Sequence, residues 1–346
     1  MSREFYHQLE DWIFVPELEA VAGRGRKTIV LLDPAGRDTL DIVEAEAGTQ
    51  LTNAPDGLHY GVMRFRDHVV GRFELWSLIP KALRWTTQDA GHYYYKIGPR
   101  ARTVVGHSTV GHPGTTDIDG QLVLYDPESD GVASHACRPP ATIRFSGDGS
   151  VLLVHCPEEG LTLIDSVGNE VLALEGAYRD AHPGHDGSFV AVVPVDEPTI
   201  LRIERPGREL NIPLHAPISE LAVAPDERLV IAGAGNLLLG MDPISGGMKW
   251  RHVVGGDSAR IVSISAASRG LVAAGVLLES GRRGGGLIPA AVELLREGTL
   301  LHRVEFEIRD PDAWVPMVFL SAEAGRLVVH DQATVWNLPL GSLLEE

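Results

Sequence analysis

The sequence predicts an all-β fold built from repeated units of four strands. Three observations predict it. One kind of tight turn recurs between apolar runs. A second short pattern, a strand closing on a large apolar residue and then a polar one, follows each such turn. The turns themselves are spaced about 38 to 56 residues apart, near the length of one four-stranded repeat.

The turn is clearest in Ile143-Arg144-Phe145-Ser146-Gly147-Asp148-Gly149-Ser150-Val151-Leu152-Leu153-Val154. Alternating apolar residues run into Asp-Gly, and a second apolar run leaves it. That is a β-hairpin signal, because Gly tolerates positive φ and Asp hydrogen-bonds the local backbone. The arrangement recurs at Ala54-Pro55-Asp56-Gly57, His185-Asp186-Gly187 and Ala224-Pro225-Asp226-Glu227. Weaker versions stand at Ala267-Ser268-Arg269-Gly270 and Glu323-Ala324-Gly325, and a degraded one at Pro99-Arg100.

Each of these seven anchors is followed by a strand of the second pattern. Examples are Leu122-Val123-Leu124-Tyr125-Asp126, Leu161-Thr162-Leu163-Ile164-Asp165 and Thr334-Val335-Trp336-Asn337. A further strand-like run comes next, as in Glu170 to Leu174 and Met248 to Val254. Hairpin, third strand, turn and fourth strand are the chain order of a propeller blade. Seven anchors therefore predict a seven-bladed β-propeller of four-stranded antiparallel blades. The segment Thr28-Ile29-Val30-Leu31-Leu32-Asp33-Pro34 has no hairpin of its own. Ring closure gives it a place: a closing strand over 28–34 completes the last blade and removes an open edge. The chain then divides into an N-terminal extension (1–27), the closing strand and seven blades (35–346), all in a single domain. Eight blades are the alternative, with 28–33 as the third strand of a degenerate first blade.

The units resemble the WD-repeat and quinoprotein-type (PQQ-like) β-propellers. The resemblance rests on Phe145-Ser146-Gly147-Asp148-Gly149 for the hairpin, on Val335-Trp336-Asn337 for the Trp-Asp position, and on Met241-Asp242-Pro243-Ile244-Ser245-Gly246-Gly247-Met248-Lys249-Trp250. It covers roughly residues 28 to 340, and it implies a rigid ring whose loops bind partners. Gly106-His107 and Gly111-His112 do not stand at the offset of the Asp-His-Ser/Thr-Trp network of WD repeats, so a divergent propeller without that network is expected.

Charge narrows the partners. With 30 Lys+Arg against 47 Asp+Glu the net charge is −17. Nucleic acids and anionic membranes need a basic surface, so neither is expected as a partner. No apolar leader follows the N-terminal Met, and the longest clean apolar stretch, Leu271 to Leu278, is too short to span a bilayer. A cytoplasmic, monomeric protein is expected. Lysines are few (Lys27, Lys81, Lys96 and Lys249) while Arg, Ala and Gly abound, a composition that points to a bacterial genome. The two cysteines, Cys137 and Cys156, read as unpaired thiols in or near strands.

Familiar catalytic signatures are missing from the sequence: there is no Gly-x-Ser-x-Gly elbow, no His-Glu-x-x-His and no phosphate-cradling loop with its Lys. The vicinal cysteines that the quinoprotein resemblance would carry are absent too, so no cofactor is expected. Three loops hold the remaining candidates. His107, His112, Asp117 and Asp119 combine ligand types that suit a metal such as zinc, although loop polarity alone accounts for them. His182-Pro183-Gly184-His185-Asp186 falls on a hairpin turn. Glu279 to Gly286 is an insertion, and its paired Arg282 and Arg283 suit an anion or acidic partner. Trp76, Trp250 and Trp336 occupy repeat positions and read as packing residues. Trp314, in a Pro-containing loop, reads as a partner anchor. The functional expectation is a non-catalytic scaffold for a protein or peptide. The alternative is a lactonase-like propeller hydrolase that uses a metal or carboxylates in a central channel.

Overall fold

The computed structural model describes residues 11–15, 18, 20–33, 39–66, 69–110, 119–137, 142–156, 160–226, 228–278, 288–308, 316–321, 325–330 and 335–341. They fall into two compact units, the first running to Ala177 and the second beginning at Tyr178. Each unit is a succession of antiparallel sheets whose strands hydrogen-bond in chain order. In the first unit the sheets span 11–44, 49–92, 94–137 and 142–175, each with four strands. In the second they span 178–213, 218–253 and 260–308, again with four, and 317–339 with three described strands.

Burial explains why these are propeller blades. Second strands are buried almost end to end, as in Val190–Pro194, Val230–Ala234 and Leu271–Leu277. Fourth strands such as Glu170–Glu175, Arg208–Pro213 and Met248–Val253 alternate half-buried with exposed. A strand flanked by strands and covered on both faces reads as a continuous apolar run, whereas an edge strand shows period two. In the second unit the first strands pack successively against one another: Tyr178–Pro183 on Ile218–Val223, that on Arg260–Ala266, and that on Met317–Ser321. Sheets gathered at their first strands diverge toward their fourth. The core then lies between faces: Phe189, Leu201 and Ile203 of one sheet meet Ile218, Leu221 and Val230 of the next.

The anchor turns do what their composition demands. Gly57, Gly149 and Gly187 take φ of +70°, +76° and +72°. Asp56, Asp148 and Asp186 accept the backbone N–H two residues on, at 2.8, 2.9 and 2.7 Å. The degraded anchor makes its turn without glycine, and Arg100 and Ala101 stand at φ +57° and +53°. A second Asp closes the outer hairpins. Asp126, Asp165 and Asp242 end or follow third strands and accept N–H groups of the turn. Hydrogen bonds from Ser129 hold Asp126 below the usual carboxylate range. The N–H of Ser245 and the Lys249 ammonium hold Asp242 at about 2.

The blade count is eight, the alternative and not the favoured seven. Thr28–Leu32 pairs with Ala20–Arg24 on one side and Thr39–Glu44 on the other. It is thus the third strand of a first blade, not a strand closing the last one. The stretch read as an N-terminal extension carries two strands of that blade, Asp11–Val15 and Ala20–Arg24. No Asp-Gly turn joins them, which is why the repeat signature passes over this blade.

Sheets of the second unit are also tied by a buried carboxylate. Glu293 is completely buried; it accepts His252 Nε2 from the preceding sheet at 2.7 Å and Arg303 Nη1 at 2.8 Å. Trp250 packs into the cluster between the same two sheets, and Trp76 into that between the first and second, the packing role expected of them. No helix among the described residues is long and apolar enough to cross a membrane.

Candidate functional site

Within the first unit, the third and fourth sheets border an open groove of about 880 Å³. One wall is the end of the Gly131–Cys137 strand, from Ser134 to Cys137, with Gly120 and Gln121 beside it. The other is the face of the fourth sheet: Cys156, Gly160 to Thr162, and Ala173 to Glu175. Alternation along Gly131–Cys137 sets this up. Ala133 and Cys137 turn toward the fourth sheet and pack on Leu122, Leu152, Val154 and Ile164, while Val132 on the opposite side is 65% exposed. The strand is held by one face, and among the described residues no strand pairs with its outer edge.

Gly160 makes the opposite wall possible. Its φ is +137°, and a Cβ there would lie 2.1 Å from the carbonyl oxygen of Leu174. Only glycine lets the Gly160–Asp165 and Glu170–Glu175 strands close this tightly at the groove.

The polar lining is Gln121, Ser134, His135, Thr162 and Glu175, with the thiols of Cys137 and Cys156. Neither cysteine is in a disulfide. Burial, and secondarily Cys156, pushes the Cys137 thiol up to about 12, so it is protonated at neutral pH and a poor nucleophile. The sequence held one signal for this pair: each cysteine ends a strand just ahead of proline, in Cys137-Arg138-Pro139 and Cys156-Pro157.

Behind the thiols lies a cluster of rings. The Tyr94 ring lies tilted at 31° against that of His107, centroids 5.0 Å apart, and burial, with Cys137 and Cys156, pushes its hydroxyl up to about 12. His107 is buried on Val104–Val110, its pKa lowered by desolvation. His92 shares a 2.8 Å hydrogen bond with the Tyr125 hydroxyl, and burial first, then His107, brings its pKa down to about 4. Its ring lies against Gly106, where a Cβ would sit 2.4 Å from Cδ2. Lys96 donates Nζ to the carbonyl of Ile143 at 2.8 Å, and burial, then Arg144, lowers its pKa. The protonated Cys137 thiol and the neutral His92 and His107 rings add no charge behind the groove, and Glu175 is the carboxylate among its lining residues, a surface suited to holding a chain by shape and hydrogen bonds.

Of the residues singled out in the sequence, His107 lies in this ring cluster. Asp119 begins the Asp119–Asp126 strand, opposite Val110. His112, Asp117, Arg282, Arg283 and Trp314 lie outside the described residues. Among the described residues no three His, Cys, Asp or Glu side chains form a group able to hold a metal. In the His182 turn, His182 Nε2 pairs with Asp180 at 3.3 Å and Asp186 caps the backbone, so both serve the hairpin.

No protein-family model matches the sequence, and no curated protein matches it. Solved structures do. Hsv2 of Kluyveromyces marxianus superposes with a TM-score of 0.53 at 11% identity, over 83% of this chain and 90% of that one. Hsv2 of Kluyveromyces lactis gives 0.53 at 7% identity, over 83% of this chain and 96% of that one. These neighbours are WD40 β-propellers. At such identities the likeness is one of fold, and it places this chain in the β-propeller architecture that its blades display.

Proposed function

We propose that this chain is a non-catalytic β-propeller scaffold that holds a protein or peptide partner. The groove between the third and fourth sheets carries the proposal: it is open and walled mostly by backbone and by small or apolar side chains, with hydrogen-bonding groups and the Glu175 carboxylate along it. Extended polypeptide is the ligand whose main chain such walls satisfy. The chain works as a single domain and a monomer, in the cytoplasm, and its net charge of −17 turns it away from nucleic acid and anionic membrane. Arg282 and Arg283, in the inserted stretch 279–286, and Trp314 are a second contact region in this reading.

The test is capture of a partner by the tagged full-length chain from its native source, with identification by mass spectrometry and reconstitution from purified components. A partner that co-elutes at fixed stoichiometry supports the scaffold. Recovery of the chain alone, together with turnover of a lactone or ester panel by purified protein, would overturn it.

A further inference from the structure

The outer hairpins that flank the groove differ in charge from the other outer hairpins of this chain. Residues 119–137 carry Asp119, Asp126, Glu128 and Asp130, and residues 160–175 carry Asp165, Glu170 and Glu175, with no Lys or Arg in either. Every other complete outer hairpin holds a cation, such as Arg37, Arg84, Arg208, Lys249 or Arg303. The Gly131–Cys137 strand goes further. Of the seven fourth strands described, it alone has no Asp, Glu, Lys or Arg.

Charge on an outer strand, lysine above all, is the usual guard against pairing with a foreign strand. An edge without that guard, beside an open groove and between two acidic hairpins, is built to accept a strand of opposite charge. We infer that the groove takes an extended polypeptide segment rich in Lys or Arg, laid along the Ser134–Cys137 edge. This rests on the scaffold reading and names the chemistry of its partner. The segment's main chain pairs with the open edge from Ser134 to Cys137. Its small or apolar side chains enter the groove over Thr162 and Ala173. Its cations face Glu175 at the groove and the carboxylates of the two hairpins. The β-turn around Gly168 packs on Ala133 and Ser134, so pairing begins at the Cys137 end of the strand.

The two cysteines give a direct readout, since they are the only ones in the chain and both line the groove. Full-length protein is titrated with a fluorescein-labelled peptide of alternating lysine and valine, and with its glutamate–valine counterpart. Alkylation of the thiols by iodoacetamide is followed by intact mass. The lysine peptide binds at least about 10-fold tighter than the glutamate peptide and slows alkylation of both cysteines, the electrostatic part weakening with salt. Glu175→Lys and Ala136→Lys, both at exposed positions, each weaken it about 10-fold by like-charge contact. Glu44→Lys, on the fourth strand of the first sheet, leaves it unchanged. Equal binding of the two peptides, or binding that leaves alkylation unaltered, overturns the inference. A native partner whose capture ignores both groove variants also overturns it while leaving the scaffold standing. Failure to capture any partner removes the scaffold itself.

Discussion

Glu293→Leu tests how the sheets of the second unit are held together. Glu293 is completely buried, and it accepts two hydrogen bonds from charged or chargeable donors, His252 Nε2 at 2.7 Å and Arg303 Nη1 at 2.8 Å. Removing one partner of a buried, hydrogen-bonded ion pair costs about 3–5 kcal/mol, because the other is left without compensation. Here the lower end applies. Arg303 retains 29% exposure and a second partner in Glu305 at 2.8 Å, so its guanidinium keeps part of its solvation. A loss of about 3 kcal/mol corresponds to a fall of about 6–12 °C in Tm for a unit of this size. A rescue is expected as well. With Arg303→Leu and His252→Leu added, no buried group lacks a partner, and apolar packing recovers most of the loss. Urea unfolding of the unaltered protein and the two variants, with midpoints and m-values compared, is the assay. A single variant that loses less than about 1 kcal/mol, or a triple variant no more stable than the single, would refute the assignment of this carboxylate as the tie between the sixth and seventh sheets.

Asp242→Asn removes a carboxylate whose pKa is held at about 2, below its ordinary value of 3.8. The stability this provides is complete above pH 4 and is lost as pH falls toward 2. After allowance for its exposure the variant costs about 1 kcal/mol at pH 7 and nothing at pH 2, read from urea midpoints against pH. His92 behaves in the opposite chemical sense, since its neutral form is the buried one and its pKa is lowered from 6.5 to about 4. Stability of the first unit is full above pH 6.5 and declines by about 3 kcal/mol as pH falls to 4, and His92→Asn flattens that slope. Gly106→Ala drives a methyl into the His92 ring, and calorimetry should show a loss of about 1–3 kcal/mol. Gly160→Ala meets a backbone carbonyl instead of a movable ring and stands at φ +137°, so it costs more than Gly106→Ala and speeds alkylation of Cys156.

The repeat was legible because its turns are chemical. Asp56, Asp148 and Asp186 each cap an N–H two residues on, and the following Gly takes the positive φ, so composition and geometry coincide. In the sequence the first blade reads as an extension and a closing strand because its opening hairpin, between Asp11–Val15 and Ala20–Arg24, uses neither residue. Its Thr28–Leu32 strand is as fully buried as any second strand, and a run of that kind does not say which neighbours bury it. The groove was hidden for another reason. Its walls come from five strands in two sheets, and beyond the proline that follows each cysteine's strand nothing in the local sequence reports that Cys137 and Cys156 share a space. What the sequence did contain was the absence of Lys and Arg between Asp119 and Cys137, a property visible only by comparing equivalent hairpins.

That comparison separates two kinds of repeat position. Where the fold dictates the residue, blades converge. Second strands such as Val190–Pro194, Val230–Ala234 and Leu271–Leu277 are apolar, Asp ends third strands at Asp126 and Asp165 and follows one at Asp242, and glycine takes the positive φ of the anchor turns at Gly57, Gly149 and Gly187. Fourth strands face solvent, and the fold asks only that they pair on one side and resist pairing on the other. A blade that drops the second requirement gains nothing in stability, because an exposed edge is equally solvated with or without a lysine beside it. The unguarded Gly131–Cys137 edge is therefore a departure that folding does not explain. Its coincidence with the groove, with Gly160 at φ +137° on the opposite wall and with acidic hairpins at both sides gives one physical account of all four features: a place prepared for a strand from another molecule.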